Sequence, residues 1–138
     1  MEETERILEE YELYRAQAEV YRQNLDLLNA NILDLMVVKE SLDQIKEIGT
    51  DNEVLVPIGG GTLVKAKIID TEKVIVGLGA DVSVKKTISD AKGYLENRIS
   101  WMEKTRNETT ERLQYILSKL EEITPKVQQI LAQAQERG

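Results

Sequence analysis

The sequence has 138 residues, 25 acidic against 18 basic side chains, a net charge of −7, and neither cysteine nor histidine. This excludes disulfides, thiolate metal sites and thiol nucleophiles, and removes the commonest general base and zinc ligand. The acidic balance argues against nucleic acid as main partner, because phosphate binding needs a basic surface; Lys85–Lys86 near Lys73 reads as solvated strand ends.

The chain opens MEETERILEEYE, without the basic start and apolar run of a signal peptide. No window has the apolar length needed to span a bilayer. The expectation is a cytoplasmic chain forming one domain over 1–138, with no membrane partner.

Glycine and proline divide the chain into three parts. None occurs before Gly49. Over 4–48 the residues Ile7, Tyr11, Tyr14, Ala18, Tyr21, Leu25, Leu28, Ile32 and Leu35 alternate steps of three and four, which predicts one seam of a helix. The next heptad slots fall on Lys39 and Lys46, whereas the apolar series continues at Val38, Leu42, Ile45 and Ile48. This predicts a local shift of the seam. Lys46 and Gly49 are stop signals.

The segment 53–87 is rich in Val and Ile, with period-two stretches and frequent turn residues. Strands are predicted at 54–58, 62–69, 73–78 and 82–86, paired as two hairpins. Val54, Val56 and Ile58 share one face, as do Val64, Ala66 and Ile68. Val74, Val76 and Leu78 share another, followed by Val82 and Val84. Lys65, Lys67 and Lys85 face the other way. So few mid-sized aliphatics make a thin core, and a free sheet edge beside them invites a second chain. The oligomerisation surface is therefore placed at Val54, Val56, Ile58, Val64, Ile68, Val74, Val76, Leu78, Val82 and Val84.

The segment 88–137 repeats the heptad at Leu113, Ile116, Leu120, Ile123, Val127, Ile130 and Ala134, and further back at Ile88, Lys92, Leu95, Ile99 and Met102. Arg106 and Thr109 interrupt that seam with polar groups. Thr87 with Asp90 fits a capping box. Pro125, at an outward position, predicts a kink or frayed end from Thr124. The fold class is α+β: a long antiparallel coiled-coil hairpin with two β-hairpins at the connecting end.

No cofactor or metal is expected, and no enzyme. Gly59-Gly60-Gly61 lacks the Gly-Lys-Ser/Thr and helix of a phosphate loop. Gly77-Leu78-Gly79-Ala80-Asp81-Val82 has Val82 where a dinucleotide fingerprint needs glycine, and no helix opens there. Paired carboxylates such as Glu9–Glu10 and Glu121–Glu122 lie on solvated helix faces, without the dry pocket that separates pKa values.

The stretches V-P-I-G-G-G, V-K-A-K and V-G-L-G-A-D-V, set between the two helices, resemble the hairpins of α-type prefoldin subunits, chiefly archaeal ones. The resemblance implies a hexamer of two α-type and four β-type subunits, whose β segments complete an intersubunit barrel. It also implies ATP-independent capture of unfolded client proteins at the coiled-coil tips and delivery to a group II chaperonin. On this sequence the tip falls at Ile7, Leu8, Tyr11, Leu13, Tyr14, Val20, Val127, Ile130 and Leu131. Leu13, Val20 and Leu27 recur every seven residues off the seam of the first helix, and Tyr94, Trp101 and Tyr115 share one heptad position on the second. Such stripes serve either clients or a neighbouring subunit. A coiled-coil scaffold or adaptor without general chaperone activity is the alternative.

Overall fold

A computed structural model describes residues 2–137. Helix α1 spans Glu2–Ile48, strands β1 to β4 span Glu53–Gly59, Thr62–Lys67, Lys73–Gly79 and Val82–Thr87, and helix α2 spans Ile88–Arg137. The chain divides into two compact units: a distal unit of residues 1–31 and 102–138, and a proximal unit of residues 32–101.

Helix α1 starts with Glu2, Glu3 and Glu5 in its first turn, where carboxylates meet the positive end of the helix dipole. Gly49 ends it in the left-handed conformation, at φ 74°, and its N–H donates to the Ile45 carbonyl at 3.1 Å. This is the single-bond αL cap. The Asn52 side-chain amide donates to the Ile48 carbonyl, covering another orphan acceptor. At the start of α2 the Thr87 hydroxyl accepts from the Asp90 N–H at 3.1 Å.

In the proximal unit Leu42, Ile88, Ala91 and Leu95 form a buried cluster, with Leu35, Ile45, Val74, Val76 and Tyr94 packed against it. Lys39 pairs with Glu96 at 3.0 Å and Asp43 with Lys92 at 2.6 Å, so the helices run antiparallel. The expected seam shift is absent at Val38 but present one heptad later, where Ile45 packs on the cluster and Lys46, in the regular slot, is exposed. Lys39 keeps the heptad slot, half-buried, while Val38 stays 45% exposed. The Lys39 stem covers the seam and its ammonium reaches Glu96, which keeps the regular heptad as far as Leu42. Ile88 and Ala91, each 1% exposed, are the fully buried residues of the first turn of α2, whereas Lys92 in the heptad slot is half-buried.

The distal unit has the same antiparallel order. Arg106 Nη1 donates to Asn29 Oδ1 at 3.4 Å. A groove is lined by Tyr11 and Arg15 of α1 and by Leu120 and Thr124 of α2. Ala18, Met102, Thr109, Ile116, Ile123 and Val127 are buried, whereas Ala134 is exposed, so the seam of α2 closes at half-buried Ile130. The expected fray at Thr124 is absent: α2 continues through Pro125 to Arg137. Buried Ile123 and Val127 hold the helix on both sides of the proline, and the Thr124 hydroxyl donates to the Leu120 carbonyl at 2.6 Å.

The strands form two separate two-stranded antiparallel sheets, β1–β2 and β3–β4. They share one design. Val54, Val56 and Gly59 pair with Ala66, Val64 and Thr62. Val74, Val76 and Gly79 pair with Lys86, Val84 and Val82. Each carries a bulge just before its turn, at Ile58 and at Leu78. Gly60–Gly61 and Ala80–Asp81 all have positive φ, the geometry of a type I′ turn. Glycine adopts it freely. Ala80, at φ 49°, does so at a cost of about 1 kcal/mol.

Candidate interaction surfaces

Period-two alternation places Val54, Val56 and Val64 on one face of the first hairpin, and the register agrees, since Val54 opposes Ala66 and Val56 opposes Val64. Leu55, Val56, Ile58, Leu63 and Val64 are all exposed. In the second hairpin Val74, Val76 and Val84 are half-buried, while Ile75, Leu78 and Val82 remain exposed. Ile68 is half-buried beside the 91% exposed Ile69. Leu55, Leu63 and Ile75 lie on the face read as polar from the lysines. The runs Val54-Leu55-Val56 and Val74-Ile75-Val76 were the signal for them, because an unbroken aliphatic run marks a strand covered on both sides.

Next to β3 runs an apolar groove lined by Val38, Leu42, Val74, Ile75, Tyr94 and Leu95, with Arg98 at its margin. Lys86 Nζ lies 5.6 Å from the centre of the Tyr94 ring and Arg98 Cζ lies 5.8 Å from it. The Lys86 contact ties β4 to α2, while Arg98 stacks on the same ring from within α2. The start of β3 is set by Asp70, whose Oδ1 accepts from the N–H groups of Glu72 at 2.8 Å and Lys73 at 3.1 Å. Those two bonds hold the Asp70 carboxyl below its usual 3.8, with Lys85 and Lys73 assisting. The hydrogen bond to Asp43 raises Lys92 above 10.5.

The residues expected at the tip separate into two groups. Ile7, Leu8, Tyr11, Tyr14 and Ile130 are half-buried, and Val127 is 5% exposed, so these serve the seam. Leu13, Val20 and Leu131 are exposed, as is Leu27 at 64%. The off-seam stripe of α1 is therefore open, and Tyr115 and Trp101 are open on α2, whereas Tyr94 is half-covered. Sequence reasoning missed Leu33, Met36 and Val37, exposed on α1 within the proximal unit. They share no single heptad position, so a search for stripes spaced by sevens passes over them.

Among the described residues no group of three or more His, Cys, Asp or Glu side chains is placed to hold a metal ion. No described helix is long and apolar enough to cross a membrane. No buried side-chain polar atom among them lacks a partner.

A family model described as "Prefoldin subunit" matches residues 14–133. The chain is 33% identical over 129 residues to the prefoldin subunit alpha of Pyrococcus horikoshii, across 93% of this chain and 87% of that one. It is 38% identical over 122 residues to the prefoldin subunit alpha of Methanospirillum hungatei, across 88% and 81% of the two chains. Among solved structures, filamentous PFD from Methanocaldococcus jannaschii superposes with a TM-score of 0.75 at 27% identity, covering 86% of this chain and 98% of that chain. Paired helices, two short hairpins between them and these relatives agree, and the chain belongs to the prefoldin family of non-enzymatic chaperone subunits.

Proposed function

We propose that the chain is the two-hairpin, α-type subunit of a cytoplasmic hexamer, joined through its β segment to β-type subunits at two α-type to four β-type chains. In this reading residues 1–138 act as one prefoldin-like domain. The hairpins complete a barrel shared between subunits. The distal helices capture unfolded clients without ATP and pass them to a group II chaperonin.

The observation that carries the reading is the exposed stripe Leu13, Val20 and Leu27 on a helix whose seam is already filled. Burial of such surface against a non-native chain contributes about 25 cal/mol per Å² removed from water. A single stripe therefore binds weakly. Several on one platform bind firmly through effective concentration, and weak single contacts permit release without nucleotide. The excess of acidic side chains keeps a loaded particle soluble.

Leu13→Ser, Val20→Ser and Leu27→Ser, combined in the assembled particle, test this. Suppression of aggregation of an unfolded client is expected to fall several-fold while helical content and particle mass stay unchanged. Undiminished suppression would reject the stripe as client surface.

A further inference from the structure

The two hairpins are built alike and supported unequally. Val74 and Val76 of the second pack against the cluster of Leu42, Ile88, Ala91 and Leu95. Its base is bonded as well, by the Ile88 N–H to the Glu72 carbonyl at 3.1 Å and by Asp70. The first hairpin contributes no residue to that cluster among the described residues. A bond from the Asp51 N–H to the Ile68 carbonyl, at 3.3 Å, lies just outside its strands.

A lone two-stranded hairpin in water is marginal at best. This one also carries three consecutive glycines in its turn, the residue that loses most freedom on ordering. Apart from half-buried Val54 and Ala66 its aliphatic side chains are exposed, Leu55 at 60% and Ile58 at 65%, so they contribute little burial to offset that loss.

We propose that the first hairpin, residues 53–67, is unfolded in the free chain and folds only as another subunit of the same family covers it, whereas the second is folded beforehand. The inference rests on the assembly reading above. The covering partner must present a free strand edge and aliphatic side chains, because the first hairpin offers both across its faces. The hairpin conformation described here is that of the covered state. Assembly through it is weakened by the fraction of free chain in which it is formed, so the apparent Kd is the intrinsic one divided by that fraction.

Hydrogen exchange on the full chain, at a dilution where sedimentation gives monomer, and again after mixing with an archaeal β-type prefoldin subunit, tests both halves. In the monomer the cross-strand amides of 54–56 and 64–66 are expected to exchange about 100-fold faster than those of 74–76. In the mixture the two hairpins should become equally protected. Equal protection in the monomer overturns the proposal and leaves the assembly reading standing. A mixture that gains no mass overturns the assembly reading and, with it, the second half of the proposal. As a second variant, Gly60→Asn keeps the positive φ of 57° and meets nothing within 4 Å. By favouring the formed turn it should tighten the apparent Kd about two- to five-fold. An unchanged Kd counts against folding as the limiting equilibrium.

Discussion

The proximal and distal units use the same two helices differently. The proximal unit fills its seam with Ile88, Ala91, Leu95 and Leu42, crosses it with the ion pairs Lys39–Glu96 and Asp43–Lys92, and caps both helix ends that meet the strands. The distal unit interrupts its seam with Arg106, half-buried against Asn29, and with Thr109, buried and bonded back to the Thr105 carbonyl at 2.8 Å. Thr110 bonds back to the Arg106 carbonyl in the same way, at 2.9 Å. Such back-bonds compete with the helix ladder and favour slight bending. Under the proposed function the dense proximal cluster supplies a fixed platform for pairing between chains, and the less tightly filled distal seam adapts to varied clients.

Substitutions can sharpen or break this contrast. The largest effect is expected from Ile88→Ala, since Ile88 is 1% exposed at the centre of the proximal cluster. It should cost about 3 kcal/mol in denaturant unfolding and lower assembly with it. A loss under about 1 kcal/mol would mean the platform is not tightly packed. In the distal unit Pro125→Ala should act in the opposite direction. It restores an N–H to a helix that already runs through this exposed position, and should stabilise by about 1–3 kcal/mol. Unchanged stability would show that packing at Ile123 and Val127 has absorbed the whole cost.

The smallest effect concerns pH. Asp70 has its folded pKa lowered by the Glu72 and Lys73 amides. Its contribution is therefore fully present above the unfolded carboxyl value, near 3.8, and is lost as pH falls through the folded value. Protection of the Glu72 and Lys73 amides should fade over that acid window in the native chain. In Asp70→Asn the fading should disappear. A persistent acid transition in the variant would place its origin elsewhere.

Much of this was legible in the sequence because the helices are written largely in heptads. No glycine or proline precedes Gly49, and Thr87 marks the start of α2. Apolar periodicity failed at Val38, where a lysine stem does the work of an aliphatic residue. The helix-breaker rule failed at Pro125, because neighbours buried in the seam outweigh a local breaker. Strand ends shifted by one or two residues, since a bulge such as that at Ile58 adds a residue that alternation cannot register. Val127 was expected at the tip from its place in the heptad, and packing shows its side chain buried in the seam at 5% exposure.

The matched bulges at Ile58 and Leu78 have a consequence of their own. Flat ribbons as rich in valine and isoleucine as these are templates for endless stacking, the route to amyloid. An extra residue in β1 and in β3 bends each ribbon and steepens its twist, so that added strands coil round instead of extending in a plane. That twist works against flat stacking while so much aliphatic strand stays uncovered.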